Sequence, residues 1–126
     1  MTVSNHQQPN SPRAALRLLT VKPAGLITDV DGTISRIVDD PRSASIEPRA
    51  LAALVRLSRS IAQVALLSGR SVAQLRAMAP ARSLLLIGNH GLEWWEDGAA
   101  VVHPAARPFV GQIAEAEACI MEEGTV

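Results

Sequence analysis

The stretch LITDVDGT, residues 26–33, decides the fold of this chain. It opens with LITDV, a compact and mostly apolar run of the kind found in buried parallel strands, so we predict a strand over residues 26–30. Two aspartates one residue apart, Asp29 and Asp31, lie where this strand ends, and Gly32 follows them directly. In an open α/β sheet, ligands bind at the carboxyl ends of the strands, so the pair predicts a functional site.

The chain continues with two more apolar runs separated by helical patterns. AQVALLS, residues 62–68, predicts a second buried strand, and SLLLIGNHG, residues 83–91, predicts a third that ends in a glycine-rich turn. Residues 47–60 have helical periodicity, and Ser71 with Gln74 forms a capping box that begins another helix. Strand, helix, strand, helix, strand predicts a βαβαβ unit with a parallel sheet and right-handed crossovers.

We expect three parts along the chain. Residues 1–22 are predicted to be a disordered or loosely attached N-terminal arm, with a possible short helix in PRAALRLLT, and residues 23–91 the first half of an α/β core. After that, LEWWED-GA-AVVHP predicts an antiparallel hairpin around an Asp-Gly turn. The last segment predicts a helix that Gly124 stops, so residues 92–126 are predicted to begin a second domain.

The composition excludes several classes of partner. The 12 basic and 12 acidic residues cancel, which argues against binding to nucleic acid or to an anionic membrane surface. Cys119 is the only cysteine, so an intrachain disulfide is excluded, and this fits a reducing compartment. No apolar run approaches the roughly 18 residues of a membrane helix, and the N-terminus lacks the apolar core of a signal peptide. We therefore expect a cytoplasmic protein.

Three polar clusters follow the predicted strands and should meet at one edge of the sheet: Asp29–Thr33, Ser68–Arg70 and Asn89–Gly91. Two carboxylates as close as Asp29 and Asp31 repel each other, unless a cation lies between them. Mg²⁺ suits such a site, because it prefers oxygen ligands and keeps positions for water and phosphate oxygens. One aspartate could then attack phosphorus while the other transfers protons, and Ser68 could donate a hydrogen bond to the phosphoryl group.

Asp-x-Asp-Gly also occurs in calcium loops and in plain surface turns. An EF-hand needs further oxygen ligands and a glutamate at its twelfth position, but that position here is Asp40, and a strand instead of a helix precedes the loop. A solvated turn would not need matching polar clusters at the ends of two other strands. The context therefore favours phosphoryl chemistry.

Longer stretches resemble a known family. DVDGT after one strand and LLSGR after the next resemble the haloacid dehalogenase superfamily of phosphotransferases. DVDGTISRIVDDPRSA, LLSGRSVAQL and IGNHGLEWW resemble the trehalose-6-phosphate phosphatases, from about residue 26 through the last helix. The resemblance implies an α/β fold with a three-layer, Rossmann-like parallel sheet, here a partial haloacid dehalogenase core followed by the start of an α+β cap. It also implies hydrolysis of trehalose 6-phosphate, with a small sugar phosphate as the partner.

The resemblance assigns roles to particular residues. Asp29 would be the nucleophile that forms an aspartyl-phosphate, and Asp31 would protonate the departing sugar oxygen and later activate water. The Asp29 carboxylate and the Asp31 main-chain carbonyl would hold Mg²⁺, and Ser68 would bind the transferring phosphoryl group. Glu93 could contact sugar hydroxyls or be a solvated strand carboxylate. The remaining implied substrate contacts are Thr33, Gly69, Arg70 and His90.

The chain departs from this family in two respects. The family's third motif supplies a lysine and its fourth supplies aspartates for the metal, but Lys22 is the only lysine and precedes the first motif. Beyond Asp97, every acidic residue is a glutamate within a helical pattern. We therefore expect the 126-residue chain alone to be inactive or nearly so, and to associate through an unfinished sheet edge. Two alternatives stay open: another sugar-phosphate phosphatase of the superfamily, or a truncated non-catalytic binding module.

Overall fold

A computed structural model describes the backbone of residues 11–123 and the side chains of residues 11–120. The expectations for residues 1–10 and for Gly124 lie outside these described residues. The strands are β1 (Gly25–Asp29), β2 (Gln63–Leu67), β3 (Leu85–Gly88), β4 (Glu93–Glu96) and β5 (Ala99–Val102). The α-helices are α1 (Pro12–Leu18), α2 (Pro48–Leu57), α3 (Val72–Met78) and α4 (Val110–Glu123). Short 3₁₀ turns cover Pro41–Ser43, Asn89–Gly91 and Arg107–Phe109.

The first three strands form the predicted βαβαβ unit. They are parallel and adjacent in the order β1-β2-β3, with Ile27 opposite Ala65 and Leu66 opposite Leu86. Their carboxyl ends therefore lie along one edge of the sheet, as the sequence predicted. The fold class is confirmed as a partial Rossmann-like α/β fold.

The hydrophobic core lies between the parallel strands and the helices α2 and α3. Its residues are buried almost completely and come from the strands, the helices and the adjoining loops: Val30, Ile46, Leu54, Val64, Leu66, Val72, Leu75, Ala79, Leu84 and Leu86. Burying each leucine contributes about 2 kcal/mol, so this face of the sheet accounts for much of the stability. On the other face, Ile27 is 66% exposed and Leu67 is 37% exposed. The strands are therefore packed firmly on one side and open on the other.

Local hydrogen bonds explain where α3 begins. The predicted capping box is confirmed: the Gln74 amide N–H donates to Ser71 Oγ at 3.2 Å, and the Ser71 amide N–H donates to Gln74 Oε1 at 3.0 Å. A third contact comes from a distant strand, because the Val72 amide N–H donates to Glu93 Oε1 at 2.6 Å. Glu93 is thus half-buried against the start of α3 instead of being a solvated strand carboxylate.

The predicted hairpin is confirmed, with a turn at Asp97 and Gly98, where φ is 50° and 84°. β4 also pairs with β3 in antiparallel fashion, with Ile87 opposite Trp94, so the hairpin extends the sheet of the core. The expected boundary at residue 92 therefore falls within a single five-stranded sheet, and the division into domains stays a prediction.

The two peripheral helices contribute little to the core. The short helix expected in PRAALRLLT is present as α1, which buries none of its residues. The described side chains of α4 are exposed, including Ile113 at 50%. Within residues 11–123, no helix combines the length and the apolar character needed to cross a membrane.

Candidate active site

The clusters that follow β1, β2 and β3 surround one cavity at the carboxyl edge of the sheet. Asp29 at the end of β1 is opposite Leu67 in β2, so Ser68 begins the loop next to it. The cavity has a volume of about 470 Å³ and is lined by Ile27, Asp29, Leu67, Ser68, Gly69 and His90. Four of the predicted site residues are thereby brought together, although their roles stay predictions.

A tight turn positions the Asp29 carboxylate. After β1, the Val30 carbonyl accepts hydrogen bonds from three successive amides, and the Gly32 amide donates to the Ser35 carbonyl at 2.8 Å. Gly32 has a φ of 81°, a left-handed conformation that favours glycine. The turn brings Thr33 back toward the strand, where its hydroxyl donates to Asp29 Oδ2 at 3.2 Å. Thr33, expected to contact substrate, therefore contacts Asp29 and limits the rotation of its carboxylate.

Asp31 has a different environment from Asp29. Both of its carboxylate oxygens accept hydrogen bonds from Arg70, at 2.8 Å from Nε and 2.7 Å from Nη2. These hydrogen bonds lower the pKa of Asp31 below its ordinary value and raise that of Arg70. Arg70 Nη1 also donates to the Pro41 carbonyl at 2.9 Å. Arg70, expected at the sugar phosphate, is thus engaged by groups of its own chain.

This ion pair changes the argument for a metal. The sequence suggested that repulsion between Asp29 and Asp31 requires a cation, but the cation that lies against Asp31 is the Arg70 guanidinium. Repulsion alone therefore no longer demands a metal ion. Among the described residues, no cluster of three or more His, Cys, Asp or Glu side chains could hold one.

The oxygens at the end of β1 nevertheless suit Mg²⁺ in kind. This ion is usually bound by one or two protein carboxylates, and water and substrate phosphate complete its coordination. The Asp29 carboxylate is exposed at the rim. The Asp31 main-chain carbonyl accepts no hydrogen bond from any described residue. The two oxygens that the family resemblance implied as ligands are therefore compatible with Mg²⁺.

Backbone hydrogen bonds join the loop after β2 to the turn after β3. The Asn89 amide donates to the Arg70 carbonyl at 2.8 Å, and the His90 amide donates to the Ser68 carbonyl at 3.0 Å. Two glycines allow the loops to approach this closely. A Cβ on Gly69 would lie 2.7 Å from the His90 ring, and one on Gly88 would lie 2.8 Å from the Arg70 carbonyl oxygen. The serine loop is therefore held rigidly by its neighbour.

The turn after β3 has an unusual backbone that the sequence did not reveal. Asn89, His90 and Gly91 have successive φ values of 47°, 56° and 96°. A left-handed conformation costs a non-glycine residue about 1 kcal/mol, and such strain occurs most often at functional sites. Here it places the His90 ring over Gly69, at the wall of the cavity. The signal in the sequence was Asn89 and Gly91 within one short turn, because asparagine and glycine tolerate this conformation best.

The fold is that of a partial Rossmann-like α/β protein with a polar cavity at the carboxyl ends of its parallel strands. Residues 27–123 match the family model for trehalose-phosphatase, so the chain belongs to the trehalose-phosphatase family.

Among curated proteins, an uncharacterized glycosyl hydrolase of Mycobacterium tuberculosis (strain CDC 1551 / Oshkosh) is 37% identical over 103 residues, which are 81% of this chain and 8% of that protein. The trehalose-phosphate phosphatase of Mycobacterium ulcerans is 40% identical over 75 residues, which are 60% of this chain and 19% of that protein. The chain thus spans less than a fifth of the length of either relative.

Two solved structures have a similar fold. The C-terminal domain of a Candida albicans trehalose-6-phosphate phosphatase has a TM-score of 0.65 and 27% identity, over 80% of this chain and 35% of that one. A protein described as related to trehalose-6-phosphate phosphatase has a TM-score of 0.66 and 20% identity, over 79% of this chain and 44% of that one. The second similarity bears on the fold alone.

Proposed function

We propose that this chain supplies the nucleophile and the phosphate-binding loop of a phosphatase that hydrolyses trehalose 6-phosphate. One observation carries the proposal: Asp29 and Ser68 line the same cavity at the ends of adjacent parallel strands. Membership of the trehalose-phosphatase family and the named phosphatase relatives support the choice of substrate. A small sugar phosphate is the corresponding partner, and a cytoplasmic location stays a prediction from the sequence.

In the first step, an Asp29 carboxylate oxygen attacks phosphorus and forms an acyl phosphate. The bond from phosphorus to the sugar oxygen breaks, and Asp31 gives that oxygen a proton. In the second step, water attacks the same phosphorus and Asp31 accepts a proton from it. The bond to Asp29 breaks, inorganic phosphate leaves, and both carboxyl groups return to their starting state.

The contacts of Asp29 and Ser68 suit their proposed roles in both steps, whereas the contacts of Asp31 suit only the second step. Thr33 orients Asp29 through its hydroxyl. The Arg70 amide donates to Ser68 Oγ at 3.1 Å, so the Ser68 hydroxyl proton is available for a phosphate oxygen. The ion pair with Arg70 favours the ionised form of Asp31, which suits the second step but opposes the first. The contact must therefore loosen before Asp31 can donate a proton.

The Asp29 carboxylate and the Asp31 main-chain carbonyl would hold Mg²⁺. When bound there, Mg²⁺ supplies positive charge that offsets the negative charge of the phosphate oxygens. Magnesium is often held by only one or two protein carboxylates, so these two oxygens are a sufficient start for a site, although the family's further aspartates would strengthen it.

The test is phosphate release from trehalose 6-phosphate in the presence of magnesium chloride, with covalent labelling of the protein measured in parallel. Because this chain alone is expected to be nearly inactive, we expect little phosphate release, but a covalent label at Asp29 that is lost completely in Asp29→Asn. Asp39→Asn is the matched control, because Asp39 is an exposed loop carboxylate outside the cavity. Labelling that survives Asp29→Asn would refute the assignment. Faster release from a sucrose or mannosyl phosphate would favour the other sugar phosphatases.

A binding module without turnover is the second candidate function. The specific observation behind it is that Arg70 holds Asp31 and favours its ionised form, which opposes the proton donation that turnover requires. Such a module would bind trehalose 6-phosphate, as calorimetry would detect, while neither labelling nor release occurs. Labelling of Asp29 would exclude it.

A further inference from the structure

Arg70 joins three segments that are far apart along the chain. It lies in the loop after β2 and binds Asp31, 39 residues earlier, and the Pro41 carbonyl, 29 residues earlier. Three of its five N–H groups are used in these contacts. Its side chain is 13% exposed and that of Asp31 is 37% exposed, so the pair is partly buried, and its two parallel hydrogen bonds fix the geometry of both groups.

The contact with Pro41 restrains an otherwise exposed loop. Residues 36–43 are all exposed, and Ile37 is 85% exposed. Within the described residues, the bond from Arg70 to Pro41 is the only hydrogen bond between residues 36–44 and the chain beyond their flanking residues. The ion pair of Arg42 with Asp40 is local to the loop and does not tie it down.

The contact with Asp31 affects the charge at the cavity. Asp29 lines the cavity, whereas Asp31 does not, although the two are separated by one residue. Arg70 holds Asp31 beside the cavity and offsets its charge. A phosphate dianion in the cavity then meets one uncompensated carboxylate instead of two.

We propose that Arg70 is a positioning residue that fixes the Asp31 carboxylate and the Pro41 turn at the rim of the cavity and neutralises Asp31. The inference rests on the proposed function insofar as the cavity takes a phosphate group. It replaces the expectation that Arg70 binds the sugar phosphate directly. Both ideas predict that losing Arg70 weakens phosphate binding, so a single substitution cannot separate them.

Adding Asp31→Asn to the Arg70 variant separates the positioning role of Arg70 from direct binding of phosphate by Arg70. We would titrate the full chain with inorganic phosphate in magnesium chloride and follow binding by calorimetry. We expect Arg70→Met to weaken binding by about tenfold, because a nearby like charge is no longer offset. Arg70→Met with Asp31→Asn should return to within about threefold of the wild type, since the repelling charge is gone. Arg70→Lys should lie between, because lysine keeps the charge but loses the fork.

If the double variant binds as weakly as Arg70→Met, Arg70 contacts phosphate itself and the proposal is wrong. Wild-type affinity in Arg70→Met would overturn it as well. A role in folding alone is also distinguished, because neutralising Asp31 would then not restore phosphate affinity.

A second measurement decides the role of Arg70 even if the wild-type chain binds no phosphate, a result that would contradict the proposed function. Urea unfolding of the two single variants and the double variant gives the coupling between Asp31 and Arg70. We expect this coupling to correspond to a factor of about five in the equilibrium constant for unfolding. The Asp40–Arg42 pair is the control, with coupling below about twofold, because an exposed pair contributes little. Coupling at Asp31–Arg70 no larger than in this control would refute the positioning role.

Discussion

Replacing Gly88 by alanine tests whether the close approach of β3 to α3 holds the site together. Gly88 is buried at the end of β3. A Cβ there would lie 2.5 Å from the Val72 nitrogen, 2.8 Å from the Arg70 carbonyl oxygen and 3.0 Å from the Ser71 carbonyl carbon. All three are backbone atoms, so no side chain can rotate away to relieve the contact.

The magnitude follows from these distances. The shortest is about 1 Å less than the roughly 3.5 Å at which non-bonded heavy atoms pack well. The start of α3 would have to move by most of that difference, and the bond from the Val72 amide to Glu93 would be disturbed. We expect Gly88→Ala to lower the free energy of unfolding by about 3 kcal/mol, which is the upper part of the range for overpacking in a buried site. For a domain of this size, that corresponds to a melting temperature lower by about 15 °C.

The assay is urea unfolding with thermal unfolding in parallel, and Gly111→Ala is the matched control. Gly111 lies in α4 and a Cβ there would meet no atom within 4 Å, so alanine should be neutral or stabilising by up to about 1 kcal/mol. A loss below about 0.5 kcal/mol in Gly88→Ala would show that the loops are not held by this contact. Phosphate affinity should fall with stability, because the displaced α3 carries the serine loop with it.

Three further predictions concern other contacts. Arg70 lowers the pKa of Asp31 in the folded chain, so their pair stabilises the fold above the unfolded pKa of about 3.9, and this contribution disappears as the pH falls through the lower folded pKa. Asp31→Asn should therefore lower the free energy of unfolding at pH 7 and make it depend less on pH in the acid range, as measured by denaturant titrations. An unchanged dependence on acid pH would contradict this. Glu93→Ala should lower the free energy of unfolding in urea by about 2 kcal/mol, because the Val72 amide loses its acceptor. Glu93→Gln keeps an acceptor oxygen and should lower it by less. Equal losses in the two variants would argue against the hydrogen bond. Ile27→Thr should increase the monomer fraction in sedimentation and change the stability little, because Ile27 is 66% exposed on the open face of the sheet. Unchanged association would show that this face does not mediate contacts between copies of the chain.

Much of the fold could be predicted because it depends on local patterns. The apolar runs identified β1, β2 and β3, and the capping box at Ser71 located the start of α3. The parallel order then placed Asp29 and Ser68 at the same edge by topology alone. The antiparallel pairing of β4 with β3 could not be inferred, since a hairpin pattern does not specify which further strand it joins.

The sequence by itself determined which strands carry the polar clusters and at which edge they meet, because periodicity, capping and crossover handedness act over short stretches of chain. Only the tertiary structure decided which groups pair within that edge. Asp31 with Arg70, and Glu93 with the Val72 amide, are pairs of residues 39 and 21 positions apart. Their choice of partner depends on distances and burial that arise only after the sheet and α3 have packed, and no repeat in the sequence encodes them.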